Sequence, residues 1–193
     1  MKPIVLALTL LCAAWSLPAQ AAADIKGVKF ADTVEVASQP LLLNGAGVRV
    51  KLLFDVYAAS LYLPQRQTSA QAVLGQSGPK SIQAVLLRDL SADDFVDAMI
   101  KGFKANNSEA EQTRHKSRLD TLEGMMRAVG SAHKGTTIRI DFVPGAGTRI
   151  QVDGQQRGQF IPGEDFYQAL MRIWLGPKPV DSDLKSALLN NGE

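Results

Sequence analysis

From residue 28 to residue 63 the chain alternates apolar and polar positions or runs apolar, in short pieces. Val28-Lys29-Phe30 and Val34-Glu35-Val36 repeat with period two, the spacing of a half-buried strand. Residues 41–43 and then 48–63 are rich in β-branched and aromatic side chains. With Gly45 and Gly47 as the break between them, they predict two further strands. A short helix is expected over 69–75 and a strand over 81–88.

The pattern then changes period. Ser91-Ala-Asp-Asp94 resembles a capping box, and Phe95, Met99 and Phe103 follow at four-residue spacing on one helical face. Ser108-Glu-Ala-Glu111 opens a second helix with the stripe Leu119, Leu122, Met126 and Val129, stopped by Gly130. Strands return over 136–143 and 148–152, joined by Pro144-Gly-Ala-Gly147, and Asp153-Gly154 turns toward 158–161. Residues 164–175 predict an amphipathic helix with Phe166, Leu170, Ile173 and Trp174, and 182–189 a last short one. Strands, helices, strands and helices without βαβ alternation mean an α+β fold, an antiparallel sheet with helices packed on one face.

Within this pattern Arg49 stands out. It follows a glycine-rich entry that reads as a turn, and the residues after it are apolar enough that most should be buried. A guanidinium is always charged and costly to bury unpaired. Its place at the mouth of such a segment predicts an anion-binding pocket, or else a structural ion pair.

The N-terminus alters the domain reading. Lys2, an apolar stretch from Ile4 to Leu17 and the small-x-small site Ala19-Gln-Ala21 read as a secretory signal over 1–21, with an alternative end at Ala23. That stretch is shorter than the roughly 20 residues of a membrane span. One domain is expected over 24–193, periplasmic or secreted, without stable membrane insertion. The single cysteine, Cys12, lies inside the signal, so the mature chain offers no disulfide, zinc–thiolate site or thiol nucleophile. Removing Lys2 takes 21 basic residues to 20 against 19 acids, near +1, which gives no long-range pull on nucleic acid or acidic membranes.

Two motifs carry a family resemblance. Asn44-Gly-Ala-Gly-Val-Arg49 followed by Val56-Tyr-Ala-Ala-Ser-Leu-Tyr-Leu63, and the later run from Phe166 to Lys185, resemble chalcone isomerases and their non-plant relatives. The nearest group is the bacterial, typically exported, chalcone isomerase-like proteins, and the resemblance runs from Val28 to Leu189. It implies an open-faced sandwich. It also aligns Arg49 with the family's pocket arginine, which assists ring closure in the plant enzymes and grips a carboxylate in the fatty-acid-binding relatives. Tyr57 falls at the position of a catalytic threonine, and Tyr62 is the other tyrosine within reach of the motif. Ile173 and Trp174 stand where the plant enzymes place a substrate-contacting threonine and its neighbour. The helix expected to supply a catalytic tyrosine, over 108–126, holds none, and the nearby asparagines Asn106 and Asn107 precede it.

An arginine without its polar network suits a carboxylate with an apolar tail. The expected ligand is therefore a small hydrophobic acid such as a fatty acid, bound by Arg49, Tyr57, Tyr62, Ile173 and Trp174. Met99, Phe103 and Met126 would join the last two along the tail, with ordinary core packing as the competing reading. The alternative is an isomerase, an intramolecular lyase acting on a phenolic or enone substrate through Arg49. No motif calls for a cofactor or metal. His115 and His133 read as surface residues, and the basic run Arg114–Arg118 as a solvated helix face. Gly45-Ala-Gly47 and Gly145-Ala-Gly147 are half of a dinucleotide fingerprint, and no Gly-x-Ser-x-Gly elbow occurs.

Overall fold

A computed structural model describes residues 21–191, so the segment expected as a signal lies, apart from Ala21, outside the described residues. In chain order the elements are β1 (Ala21–Ile25), β2 (Val28–Ala31), β3 (Thr33–Val36), β4 (Gln39–Lys51), β5 (Phe54–Leu63), α1 (Ala70–Gly75), β6 (Lys80–Leu86), β7 (Leu90–Ser91) and α2 (Ala92–Asn106). There follow α3 (Glu109–Arg127), β8 (Ser131–Ala132), β9 (Thr137–Val143), β10 (Gly147–Val152), β11 (Gln155–Gln156), α4 (Glu164–Leu175) and α5 (Ser182–Leu188). Seven strands form one antiparallel sheet in the order β11-β10-β9-β6-β5-β4-β3, while β1 pairs with β2 and β7 with β8.

The fold is α+β, with the helices over one face of that sheet. Tyr57, Leu61, Ile82, Ile140 and Ile150 from the sheet meet Met99, Phe103, Leu122, Leu170 and Trp174 from the helices in one core. Helix α4 is buried on nearly every side, as a helix lying between a sheet and other helices must be. The helix starts are set as the sequence predicts. Ser91 accepts from the Asp94 amide, and Ser108 and Glu111 form a complete capping box. On the opposite face Leu41, Leu43, Val36 and Tyr62 make a smaller cluster, and Tyr62 donates its hydroxyl to the Ala31 carbonyl at 3.1 Å.

Two sequence expectations around Arg49 are corrected. Residues 48–63 are not one strand: β4 ends at Lys51, the chain turns through Leu52 and Leu53, and Lys51 pairs with Phe54. The turn was missed because it contains none of the usual turn residues, although Leu52 takes the left-handed region at φ 58°. As a result Val50, Leu52, Leu53 and Phe54 are exposed rather than buried. Gly45 and Gly47 likewise make no turn. They lie inside β4, where α5 crosses so closely that a Cβ on Gly47 would stand 2.7 Å from the Ala187 methyl and one on Gly45 would strike the Ala187 carbonyl.

The facing of β4 changes at Asn44. Leu43 pairs with Tyr62 and Gly45 with Leu61, so Asn44 is the extra residue of a bulge. Side-chain period two would otherwise send Leu41, Leu43, Gly45, Gly47 and Arg49 to one face. With the bulge, the two leucines face the smaller cluster and Arg49 faces the helices. Asn44 is held there by three bonds: its amide donates to the Gln67 and Leu188 carbonyls, and its carbonyl accepts from the Gln67 amide.

His115 is the third correction. Its side chain is 3% exposed, packed between the rings of Phe103 and Phe166, with Arg118 2.8 Å from Nδ1. Of the basic run, Arg114 and Lys116 are solvated as expected, but the histidine lies on the inward stripe of α3 and Arg118 turns inward with it, half-buried over the Phe166 ring and paired with both oxygens of Asp165. His133 is exposed.

Candidate functional site

Arg49 and Tyr57 are direct cross-strand partners on β4 and β5, so their side chains rise from the same face of the sheet. Along one strand their separation of eight residues would be about 26 Å. The hairpin makes them neighbours, with the Arg49 Cζ 5.6 Å from the centre of the Tyr57 ring. A cation over an aromatic face contributes about 0.5–2 kcal/mol, depending on how far it is desolvated. This ring, rather than a carboxylate, supports the guanidinium: among the described residues Arg49 forms no ion pair.

The support continues inward. Trp174 on α4 donates its indole N–H to the Tyr57 hydroxyl at 2.9 Å, and both side chains are buried. Burial pushes the Tyr57 pKa above its ordinary value, with the nearby Arg49 charge and the Trp174 bond working against the rise. Asp181 lies close enough to raise it further, but its two oxygens are taken by the backbone amides of Val50 and Leu184 at 2.9 Å each. Tyr57 therefore stays a neutral phenol, its hydroxyl oxygen accepting from Trp174.

Arg49 is left incompletely satisfied. Its Nε is buried and has no hydrogen-bond partner. An unmet buried donor costs about 1–3 kcal/mol, more for a charged group. The same arginine lines a groove of about 830 Å³, within the volume range of small-molecule sites. The groove runs between the β4–β5 hairpin, the start of β7, one face of α2 and the segment joining α4 to α5. Its apolar surface comes from Leu52 and Phe54 of the hairpin together with Val56, Leu90, Phe95, Ala98, Pro179 and Val180.

The expected site residues divide. The structure brings Arg49, Tyr57 and Trp174 together, but of these only Arg49 lines the groove. Tyr62 faces the other side of the sheet and does not reach Arg49. Ile173 is one layer behind the groove wall, packed where a Cβ on Gly102 would meet its Cγ2 at 2.9 Å. Met99, Phe103 and Met126 belong to the core, as the competing reading held. Eight of the nineteen lining residues are charged, so the groove is open and mixed in polarity rather than an enclosed apolar channel.

Sequence reasoning missed Lys51, Arg88, Lys101 and Lys178, which ring the groove. They come from four separate places in the chain. The α2 face read from the sequence, Phe95, Met99 and Phe103, is the one turned to the core, and the groove takes the neighbouring face with Ala98, Lys101 and Ala105. Among the described residues no cluster of His, Cys, Asp and Glu has the arrangement of a metal site, and no helix is long and apolar enough to cross a membrane.

Comparison with known proteins agrees with the architecture. A family model described as "Chalcone isomerase-like" matches residues 22–190. Among solved structures, an Arabidopsis thaliana fatty-acid binding protein superposes with a TM-score of 0.63 at 16% identity, over 86% of this chain and 93% of that one. At that identity the likeness is one of fold. A comparison with curated protein sequences returns no significant match.

Proposed function

As the chain belongs to the chalcone isomerase-like family, we propose that it binds a small hydrophobic carboxylate, such as a medium- or long-chain fatty acid, in the groove headed by Arg49. The observation that carries this reading is the buried, unpartnered Nε of an arginine without a carboxylate partner, among the residues lining a groove of ligand size. A carboxylate fits the planar donor fork of a guanidinium. Val56, Phe95, Ala98 and Val180 offer apolar surface to the tail. The solved relative named as a fatty-acid binding protein supports the ligand class.

Binding without isomerisation is favoured by the surroundings of Arg49. Ring closure requires the substrate's oxygen and enone to be held together, and a misplacement of about 1 Å can cost about a hundredfold. Tyr57 is buried behind the arginine with its pKa raised, so it presents no base to a substrate. Export to the periplasm or beyond accords with Lys2, the apolar run after it and the Ala19-Gln-Ala21 site.

Calorimetric titration tests the ligand. Dodecanoate should bind, dodecanol should bind more weakly, and Arg49→Ala should lower the dodecanoate affinity by about 10–100-fold, since charged hydrogen bonds contribute about 1.5–3 kcal/mol. Absence of affinity for every medium- and long-chain acid would remove the reading. Efficient chalcone turnover that depends on Arg49 would replace it with the isomerase alternative.

A further inference from the structure

We propose that the β4–β5 hairpin tip docks the protein on anionic lipid bilayers, with the groove mouth held at the lipid surface. Five large hydrophobic side chains are exposed among the described residues, and four of them are here: Val50 at 44%, Leu52 at 86%, Leu53 at 93% and Phe54 at 58%. A two-residue hairpin turn ordinarily uses glycine or asparagine, because positive φ is costly for a branched side chain. Leu52 takes φ 58° nonetheless, and Leu53 beside it touches nothing that hides it. The chain thus holds two leucines at the point of a projecting loop, against both solvation and backbone preference.

Charge decides what covers this tip. Lys51 lies in the hairpin itself, Arg88, Lys101 and Lys178 line the groove that the hairpin borders, and among the described residues none of the four forms an ion pair. Arg88 instead lies 5.1 Å over the Phe54 ring. The same groove carries three acids, Asp89, Asp94 and Asp97, against these four cations and Arg49, so its lining is net positive. Asp97 pairs with Arg127, Asp94 is bonded to Ser91, and Asp89 accepts from the Lys134 amide. Apolar side chains beside a net positive groove lining match a bilayer whose headgroups are anionic and whose interior is apolar. A second copy of the chain would bring the same cations against these. The net charge of +2 is too small to act at a distance, so attachment depends on this local patch.

Lys51, Leu52 and Phe54 also line the groove that Arg49 heads. An acidic amphiphile leaving the lipid would enter the groove without crossing bulk water. That consequence rests on the proposed ligand; docking itself does not.

Vesicle flotation decides the matter. The protein should float with vesicles of phosphatidylglycerol and phosphatidylcholine, bind pure phosphatidylcholine at least tenfold more weakly, and lose much of its attachment in high salt. Leu53 does not line the groove, so Leu53→Ser should weaken flotation by about tenfold while leaving its aqueous affinity for dodecanoate unchanged. Lys51→Glu should act in the same direction. Failure of the wild-type protein to float, or equal flotation of Leu53→Ser, overturns the proposal whatever the dodecanoate titration shows. A dimer that Leu53→Ser dissociates, without vesicle binding, overturns it in favour of a second copy at the tip.

Discussion

Trp174 donates its indole N–H to the Tyr57 hydroxyl at 2.9 Å, and through that bond the most buried helix fixes the ring on which Arg49 rests. The bond joins residues 117 positions apart, in a region where neither polar group has water as an alternative partner.

Tyr57→Phe and Trp174→Phe should each lower stability by about 1–3 kcal/mol, because each leaves a buried polar group unmet. The double variant should cost less than the sum of the two, with a coupling of about 1 kcal/mol. Urea denaturation of the four proteins measures this. Strict additivity would mean that the bond contributes nothing.

Arg49→Met should separate binding from folding. The replacement keeps the alkyl stem, removes an unsatisfied donor and sacrifices only the attraction to the Tyr57 ring. Stability should therefore shift by less than about 1 kcal/mol. Dodecanoate affinity should nevertheless fall by about 10-fold or more. A large loss of stability would identify Arg49 as a structural residue.

Gly45→Ala and Gly47→Ala should both destabilise, Gly45→Ala by about 3 kcal/mol or more. At Gly47 the obstacle is the Ala187 methyl, which can yield slightly, whereas at Gly45 it is the backbone carbonyl of α5. Thermal melts should rank them in that order. Pairing Gly47→Ala with Ala187→Gly should recover part of the loss.

Stability should fall with acid in two steps. Burial first, and then the Arg118 charge, hold the His115 pKa below its ordinary 6.5; Arg114 lowers it too, while Asp165 and Glu111 oppose. The unfolded chain consequently binds more protons just below pH 6.5, and stability declines there as pH falls. Glu111 is lowered to about 2, chiefly by its bond from Arg172 and then by those from Ser108. Its contribution is present above the ordinary value of 4.5 and is lost as pH falls toward about 2. Denaturation midpoints between pH 8 and 3 should show both declines, His115→Gln removing the first and Glu111→Gln reducing the second, to which Asp165, lowered chiefly by its bond from Arg118, also contributes.

The architecture was legible because it depends on short-range patterns. Helix α4 was expected over the same residues it occupies, and α2 and α3 begin at the serine caps that the spacing of Ser91 and Ser108 indicated. These features are set by groups within about four positions of one another, which a sequence displays directly. The hairpin at Leu52 was not legible, since its residues carry none of the usual turn chemistry.

Sequence by itself determined the helices, the core of most long strands, the α+β class and the choice of Arg49 as the residue to watch. Tertiary structure decided which way Arg49 faces, through one bulge at Asn44 that is held by Gln67 and Leu188. It also decided that Tyr57 rather than Tyr62 supports the arginine, and that Trp174 acts from behind while Lys51, Arg88, Lys101 and Lys178 form the rim. The physical reason is that a face assignment changes with a single inserted residue, and a groove is made of side chains distant in sequence. Neither is encoded at the range over which periodicity operates.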